Sequence, residues 1–423
     1  MQAKHSKSNR TVLRIFSTAT FLAMIASCSV SAFAGTYDLK NGDVYVDVRD
    51  DQHYVSQVTS VDQDGTKNYY TDEKGTTHDG TKAEDDNQVT ITSNGEKTTS
   101  TVEVKTEDEN QVANITLDNV NIDASGRWCD YEHGYCYDSG DYDDSVTNTR
   151  SAVSVRGAGT TNIELDGSNT LVGGTAGGAA IRFNGTDKLN IGDTELTKNG
   201  TLNINDNNKD GGTLDATSGW CAAIGGKFGK DSGNIVINGG DITVRTGADG
   251  NNSAAIGGGQ VIQNRDGTVT GGNGTVTING GTVNANAYGG AAIGGAVHGG
   301  ANITINGGTV TAKGGVGAGI GSGNGGDAII NITGGTIKEA VGGAGGAGIG
   351  SGQGGDANIT ITGGTIENAN GNYNGYGYGN SGAGIGSGSG GNADITISNA
   401  TIVTVTGGTE GGSGIGTGRS LNN

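Results

Sequence analysis

The sequence predicts an all-β fold: a right-handed parallel β-helix, or solenoid, with a small N-terminal β cap. A unit of roughly thirty residues repeats along the chain, and Ile or Val alternates with polar residues inside each unit, as half-buried strands require. One unit consists of residues 303–312, a glycine loop and residues 317–323. Its three short strands could not bury a core alone, so we expect successive units to stack as coils about 4.8 Å apart.

The repeat keeps a nearly constant length. Further copies of the unit begin at Ile235, Val276, Ile330, Ile359 and Ile395. The threonine after the Gly-Gly pair recurs at positions 282, 309, 336 and 365, at intervals of 27, 27 and 29 residues. The next interval, to Thr401, is 36 residues, because a tyrosine-rich insertion occupies residues 370–378. Hairpin-based folds would show turns at shorter spacing, and collagen would need Gly at every third position.

The residue before each glycine corner is polar. The position holds Asn238, Asn279, Asn306, Thr333, Thr362 and Ser398. Each of these side chains can hydrogen-bond to a like side chain one coil away, so we predict a polar ladder at this turn. The same register extends backwards through residues 202–205, 163–166 and 115–118.

This register divides the chain into three regions. We predict a signal peptide at residues 1–34, an N-terminal cap region at 35–110 and parallel β-helix repeats at 111–423. Residues 35–110 alternate like strands at 43–48 and 101–104, around a polar, charged stretch. A cap at this place would cover the β edge of the first coil, which would otherwise invite aggregation.

The first residues have the pattern of an export signal. Four basic residues lie before or at the start of the apolar stretch, which contains no acidic residue and ends in Ala32-Phe33-Ala34, a small-x-small cleavage site. We expect cleavage after Ala34 and a secreted or cell-surface bacterial protein. The alternative is a lipid anchor through Cys28, because residues 25–28 resemble the lipobox of bacterial lipoproteins.

The chain is strongly acidic, with a formal net charge of −19. The leader takes away four of the 25 basic residues and none of the 44 acidic ones, which leaves −23 for the mature chain. This charge argues against nucleic acid or an anionic membrane as partner, because both would be repelled. No second apolar run is long enough to span a bilayer, so we expect no integral membrane segment in the mature chain.

Three cysteines remain after the leader is removed. Cys129 and Cys136 flank a short acidic, aromatic stretch, and in an oxidising compartment they could form a local disulfide. Cys221 lies where a small apolar residue would serve, in the sequence Trp220-Cys221-Ala222. We therefore interpret Cys221 as a buried free thiol rather than a reactive one.

Parallel β-helices include pectin-cleaving enzymes, but the fold alone does not establish catalysis. The hydrolases carry Asn-Thr-Asp, Asp-Asp, Gly-His-Gly and Arg-Ile-Lys motifs on adjacent coils, and this set does not occur in the coils of this sequence. The lyases need a calcium cluster and a nearby basic side chain. Arg156, Arg182 and Arg245 qualify by residue type only, and we interpret them as solvated surface side chains. We therefore assign no catalytic residue.

Calcium is the cofactor that the acidic residues could hold. Closely spaced carboxylates in residues 138–144 offer the hard oxygen ligands that calcium prefers, at Asp138, Asp141, Asp143 and Asp144. Their spacing fits no EF-hand, and a solvated acidic loop is the alternative interpretation. Asp327 and Asp356 occupy equivalent places in two units, and we interpret them as turn residues.

The aromatic residues cluster in two loops. Tyr373, Tyr376 and Tyr378 lie in the inserted loop, and Trp128 and Tyr135 lie beside further tyrosines around the cysteine pair. Exposed aromatic rings on polar loops stack against sugar faces, so these five residues are candidates for carbohydrate binding. The alternative is that the tyrosines only anchor long loops onto the solenoid.

The chain resembles a family of exported bacterial β-helix proteins described as carbohydrate-binding. The resemblance lies in the repeat Ile-Thr-Ile-Thr-Gly-Gly-Thr-Ile, in the Gly-Ala-Gly-Ile-Gly-Ser-Gly segment that follows it, and in the upstream segment 163–171. The resemblance extends from about residue 115 to the end of the chain. It implies a fold similar to that of pectate lyases, calcium binding, and association with plant cell-wall polysaccharides without established cleavage. It transfers no ligand residue by position.

These observations favour a non-enzymatic extracellular or cell-surface carbohydrate-binding or adhesion protein. Its expected partner is a polysaccharide of the plant cell-wall type or a cell-surface glycan. Three alternatives remain: a pectate-lyase-like polysaccharide lyase, an ice-binding solenoid and a structural surface repeat protein. Ice binding would require paired ranks of threonine. One rank is present from Thr282 to Thr401, but two residues further on the chain has Asn284, Thr311, Lys338, Glu367 and Val403.

Overall fold

A computed structural model describes residues 35–62, 66–83, 88–125, 150–174, 177–183, 200–207, 211–247, 251–264, 266–371 and 380–419. These residues form a right-handed solenoid with three parallel sheets, which confirms the predicted fold class. We number the sheets I, II and III in the order in which the coil that begins at Ala301 meets them.

Sheet I contains the Ile-x-Ile strands. Its eleven described strands, in spatial order, are β1 (Gly35–Asp38), β6 (Val89–Thr92), β8 (Val112–Asp118), β11 (Thr160–Asp166), β14 (Thr201–Asn205), β17 (Asn234–Ile237), β22 (Gly274–Ile278), β25 (Ala301–Ile305), β28 (Ala328–Ile332), β31 (Ala357–Ile361) and β34 (Ala393–Ile397).

Sheet II follows the glycine corner. Its nine described strands are β9 (Asn121–Asp123), β12 (Ser168–Val172), β15 (Thr213–Ser218), β18 (Asp241–Thr246), β23 (Thr282–Asn286), β26 (Thr309–Lys313), β29 (Thr336–Val341), β32 (Thr365–Asn370) and β35 (Thr401–Thr406).

Sheet III closes each coil and is the one that changes most along the axis. Its longer N-terminal strands are β2 (Asp43–Arg49), β3 (Gln52–Val61), β4 (Lys67–Tyr69), β5 (Asp79–Ala83), β7 (Val102–Thr106), β10 (Val153–Arg156) and β13 (Ile181–Phe183). The remaining strands are mostly two residues long: β16 (Ile224–Gly225), β19 (Ile256–Gly257), β24 (Ile293–Gly294), β27 (Ile320–Gly321), β30 (Ile349–Gly350), β33 (Ile385–Ser389) and β36 (Ile415–Gly418).

Two small elements lie outside this pattern. A 3₁₀ helix, Leu39–Asn41, connects β1 to β2. A short antiparallel pair, β20 (Ile262–Gln263) and β21 (Val269–Thr270), projects from one coil.

Each coil buries its aliphatic side chains in the lumen. In the coil from β25 to β27, Ile303, Ile305, Val310 and Ile320 are fully buried, whereas Thr304 between the two isoleucines faces outward. Each inward residue pairs in register with its equivalent one coil away, as Ile303 does with Ile330. The core is therefore a set of aliphatic columns, and its stability comes from apolar area that only stacking removes from water.

A column of glycines lets the coils approach in sheet III. The second residue of each short strand has φ between 131° and 147°, a region that side-chain-bearing residues rarely adopt, at Gly225, Gly257, Gly294, Gly321, Gly350, Gly386 and Gly416. From Gly225 to Gly386, a Cβ atom would lie well inside 3.0 Å of the carbonyl oxygen of the next glycine in the column. Glycine is therefore required here for two reasons: the backbone conformation and the lack of room for a Cβ atom.

Buried serines tie successive coils together beside this column. Ser322 and Ser351 each donate a hydrogen bond from Oγ to a carbonyl oxygen four residues on, both at 2.5 Å. Each also accepts from a backbone N–H of the next coil, at 3.1 and 3.0 Å. The serine of the Gly-Ile-Gly-Ser-Gly motif therefore satisfies buried backbone groups that no strand ladder reaches.

The N-terminal region combines coils with antiparallel strands. Parallel pairing in sheet I continues past the predicted boundary near residue 111, from β8 through β6 to β1. In sheet III, β2 pairs in parallel with β7 and antiparallel with β3. The β2–β3 turn contains Asp50 and Asp51 at φ 49° and 59°, as a type I′ hairpin requires. Strands β3 to β5 therefore extend the N-terminal end of sheet III.

Two buried polar side chains bind these antiparallel strands to the coils. Gln57 donates from Nε2 to the carbonyl oxygen of Asp38, 2.7 Å away. His53 accepts at Nε2 from the backbone N–H of Asn114 at 3.1 Å, and burial lowers the pKa of His53. The imidazole is therefore neutral, as an acceptor role requires.

The structure confirms that Cys221 is a buried free thiol. Its Sγ lies 2.8 Å from the carbonyl oxygen of Gly177 on the preceding coil. Burial raises the pKa of the thiol to about 12, so almost no reactive thiolate exists at neutral pH.

The glycine column predicts a large difference between two Gly→Ala substitutions. Gly321→Ala should lower the free energy of unfolding by about 3 kcal/mol or more, because its Cβ meets the backbone of the next coil. Gly354→Ala also has positive φ but an open surrounding, and should cost only about 1–2 kcal/mol. Chemical denaturation of both variants measures the difference. Equal destabilisation would show that the close approach of the coils contributes nothing.

The thiols predict a specific labelling pattern for the secreted protein. Without reductant, iodoacetamide should label no cysteine in the folded chain and one, Cys221, in denaturant, because the Cys129–Cys136 disulfide is predicted to be intact. Reduction in denaturant should raise the number of labelled cysteines to three. Mass spectrometry counts the labelled cysteines in the folded, the denatured and the denatured, reduced protein. Labelling of Cys129 or Cys136 before reduction would refute the disulfide, and rapid native labelling of Cys221 would refute its burial.

Candidate functional site

The outer face of sheet I is uncharged over six consecutive strands, β14 to β31. We call its twelve outward positions the neutral face: Thr201, Asn203, Asn234, Val236, Thr275, Thr277, Asn302, Thr304, Ile329, Asn331, Asn358 and Thr360. All are accessible to solvent, and Ile329, on the fifth of the six strands, is 52% exposed. In a chain with 44 acidic residues, a surface of this length without a carboxylate matches an uncharged partner.

The neutral face is also regular. Pairing from β14 to β31 has no register shift in the described residues, so outward side chains repeat about 4.8 Å between strands and about 7 Å along them. Sheet II differs, because a bulge on β29 leaves Lys338 unpaired between Val310–Ile337 and Thr311–Glu339 and turns extra charge outward. Lys313 and Glu339 form an ion pair at 2.9 Å across that bulge. Sheet I is therefore the flatter of the two faces.

A polar ladder borders the neutral face at the corner with sheet II. The structure confirms the prediction for Asn238, Asn279, Asn306 and Thr333, but Thr362 and Ser398 do not continue the ladder as predicted. Asn238 donates from Nδ2 to Oδ1 of Asn205 at 2.8 Å, and Asn279 repeats the bond to Asn238 at 2.8 Å. The ladder continues through Asn306 at 2.9 Å and ends with the Thr333 hydroxyl at 2.7 Å. All its amides point the same way, and each keeps a second N–H for another partner.

The turn interpretation of Asp327 and Asp356 is confirmed. The Asp327 carboxylate accepts from the backbone N–H of Asp356 at 2.8 Å. Asp356 in turn accepts from the backbone and side chain of Asn392, at 2.8 and 3.1 Å. These carboxylates therefore hold the next coil in place.

A second candidate site lies on the outer face of sheet III, in its N-terminal half. The outward column there consists of Tyr45, Glu103, Ser154 and Arg182, paired in register on β2, β7, β10 and β13. The next member of the column is Gly225, and the later strands have glycine at this place. Among the described strands of sheet III, the side chains of this column therefore end at Arg182.

Three arginines converge beside this column. Arg150 donates from Nη2 to Asp43 Oδ2 at 2.5 Å and to the Thr101 hydroxyl at 2.6 Å. Arg156 lies 3.6 Å from the Glu103 carboxylate. Arg182 is only 6% exposed. The sequence interpretation of Arg182 as a solvated side chain is therefore wrong, because its strand pairs on both sides and its neighbours cover it.

The arginines line a small cleft, which we call the arginine pocket. Its volume is about 90 Å³, and its lining consists of Tyr45, Thr101, Val102, Glu103, Arg150, Ser151, Ser154, Arg156 and Arg182. The pKa of Tyr45 is raised, mainly because the phenol is buried and also because the Asp43 and Glu103 carboxylates lie nearby. The phenol therefore stays neutral at physiological pH. The pocket therefore combines three guanidinium groups and the Glu103 carboxylate with neutral hydroxyl groups.

Arg245, the third arginine considered from sequence, lies elsewhere. It is on the outer face of sheet II, where Nη1 contacts the Asp215 carboxylate at 3.1 Å. Its side chain is 53% exposed, as expected for a solvated surface residue.

The other site residues predicted from sequence lie outside the described residues. This applies to the five candidate sugar-binding aromatics, Trp128, Tyr135, Tyr373, Tyr376 and Tyr378. It applies equally to the calcium candidates Asp138, Asp141, Asp143 and Asp144 and to the disulfide pair Cys129 and Cys136. These assignments stay predictions.

Among the described residues, no group of three or more His, Cys, Asp or Glu side chains is arranged to hold a metal ion. In the same part of the chain, no helix has the length and apolar character needed to cross a membrane.

Comparison with known proteins supports the repeat architecture. The family model described as "Beta helix repeat" matches six segments: residues 210–229, 235–260, 276–300, 303–324, 330–353 and 359–389. No curated protein and no solved structure matches the chain significantly. The repeat matches support a parallel β-helix repeat family and, through it, a surface or polysaccharide-related protein.

Proposed function

We propose that this protein is a non-enzymatic extracellular or cell-surface carbohydrate-binding or adhesion protein. Its partner is a polysaccharide of the plant cell-wall type or a cell-surface glycan. The observation that carries the proposal is the neutral face: a flat, regular and uncharged rank of hydroxyl and amide side chains on a strongly acidic chain.

Such a face suits an extended neutral polymer. Its six strands span about 24 Å along the solenoid axis, so one polymer chain can contact several coils at once. The amide ladder beside it is already ordered by hydrogen bonds between coils, so binding costs little side-chain entropy. Each contact is weak, and affinity comes from their number on one rigid surface.

Export, calcium and the aromatic loops belong to the same proposal. The predicted leader and the predicted Cys129–Cys136 disulfide suit an oxidising, extracellular location, either secreted or held through a lipid on Cys28. Calcium bound by residues 138–144 would add a bridge to acidic polymers, and the tyrosines at 373–378 would add stacking contacts.

Retention on an insoluble neutral glucan tests the proposal. Thr304→Glu places a carboxylate in the middle of the neutral face and should weaken retention about tenfold, because that charge loses water on binding without a partner. Thr311→Glu is the matched control, since it adds the same charge to the outer face of sheet II in the same coil. Binding is measured by depletion from solution, with calcium and with chelator.

Two outcomes would contradict the proposal. If Thr304→Glu and Thr311→Glu retain the wild-type affinity, or lose it equally, the neutral face is not the binding surface. If incubation with polygalacturonate and calcium releases unsaturated products that absorb in the ultraviolet, the protein is a lyase rather than a binding protein.

A further inference from the structure

We infer that His53 is a pH-sensitive latch, which holds the antiparallel strand β3 against the coil strand β8 at neutral pH and releases it in acid. The latch lies at the N-terminal end of the solenoid, whereas the neutral face lies on β14 to β31. The inference is therefore independent of the proposed carbohydrate binding. It concerns the conditions under which the N-terminal end of the apolar core is covered.

The His53 imidazole makes a contact that the strand ladder of sheet I does not reach. Strand β6 begins opposite Ile115, one residue beyond Asn114 on β8. His53 is 1% exposed, and its Nε2 accepts the backbone N–H of Asn114 at 3.1 Å. This hydrogen bond therefore ties the antiparallel strand to the coils at the point where the ladder between β6 and β8 starts.

Only a neutral imidazole can make this bond. A ring that accepts at Nε2 carries its proton on Nδ1, and Nδ1 is buried without a hydrogen-bond partner among the described residues. Protonation adds an N–H at Nε2, which would face the N–H of Asn114, donor against donor. It would also place a charge in a buried site, which is costly without a partner. Both effects favour the open state once the ring is charged.

The charged groups on the elements around His53 are exposed or partly exposed. They are Asp47 and Arg49 on β2, Asp50 and Asp51 in the turn to β3, Asp79 and Lys82 on β5, and Glu107, Asp108 and Glu109 between β7 and β8. Asp47 and Arg49 pair with each other. Strand β8 carries one titratable group, Asp118, at its far end. Glu84, Asp85 and Asp86, which follow β5, lie outside the described residues.

Burial of the ring gives the direction of the pH dependence. It lowers the pKa of His53 in the folded protein below the ordinary value of 6.5. The open state therefore takes up the proton more readily than the closed state. The latch contributes its full stability above about pH 6.5, and that stability is lost as the pH falls from there through the folded-state pKa.

Release of the latch uncovers apolar core at one end of β3. Val55, two residues after His53, is buried in the same core as Leu39 and Val46. Gln57 holds the following part of the strand through its hydrogen bond to the carbonyl oxygen of Asp38. Loss of the His53 contact therefore frees the strand beside the β2–β3 turn first, while the Gln57 end stays attached.

Hydrogen exchange of the full mature chain at about pH 7.5 and about pH 5, corrected for the intrinsic exchange rates, tests the inference. Protection of the Asn114 amide and of residues 52–55 should fall about tenfold or more in acid, as loss of a buried hydrogen bond predicts. His53→Gln keeps an acceptor that does not titrate and should show equal protection at both pH values. His78→Gln is the matched control, because it removes a nearby histidine whose ring contacts Tyr70 and Asp72 instead. It should behave like the wild type.

Unchanged protection of Asn114 in acid would overturn the inference. So would a His53→Gln variant that loses protection in acid as the wild type does, or a His78→Gln variant that no longer responds to acid. If His53→Gln does not fold, an NMR titration of the wild-type imidazole decides. Opening that follows protonation of His53 supports the latch, and opening while His53 is still neutral contradicts it.

Discussion

Registered contact between successive coils is the constraint on which the rest of this structure depends. In the short strands of sheet III, the glycine column brings backbone against backbone, with no room for a Cβ atom. That approach fixes the height of each coil, and the aliphatic columns of Ile303 and Ile320 then stack in register. Burial of these columns supplies the apolar stabilisation that one coil could not reach alone.

The same register determines the polar contacts. Because equivalent positions superpose from coil to coil, a hydrogen bond made once is made repeatedly. Three sets of contacts show this repetition: the amide ladder from Asn205 to Thr333, the serine bonds at Ser322 and Ser351, and the Asp327–Asp356 contact. The serine bonds satisfy buried backbone groups, whereas most bonds of the amide ladder and the Asp327–Asp356 contact lie at the exposed surface.

Register also explains why the two candidate surfaces differ. Where the repeat is strict, outward side chains form straight columns, and the neutral face results. Where the coils vary in length, before residue 200, sheet III strands are long enough to present side chains such as Tyr45 and Arg182. The regular half therefore offers an extended surface, and the irregular half offers a pocket.

Much of this architecture could be predicted from sequence. The inward and outward faces around Thr304, the amide ladder and the burial of Cys221 all follow from a repeat whose period the sequence shows directly. The bulge at Lys338 could not be predicted, because two successive outward residues break the alternation without changing the repeat length by much. The arginine pocket was also missed.

The arginine pocket could not be predicted from sequence because it depends on pairing between coils of unequal length. Arg150, Arg156 and Arg182 are brought together by the register of β2, β7, β10 and β13. No fixed interval in the sequence marks that register. The available signal was weaker: three of the few basic residues of an acidic chain fall within 33 positions, 150–182.

The most direct measurement compares two aspartate substitutions at adjacent positions of one coil. Ile305 is fully buried and Thr304 faces outward on the same strand. Ile305→Asp should lower the free energy of unfolding by several kcal/mol, roughly 3–5, because an unpaired charge enters the lumen, while Thr304→Asp should change it by less than about 1 kcal/mol. Equal unfolding free energies for the two variants, by chemical denaturation, would contradict a core built from registered coils.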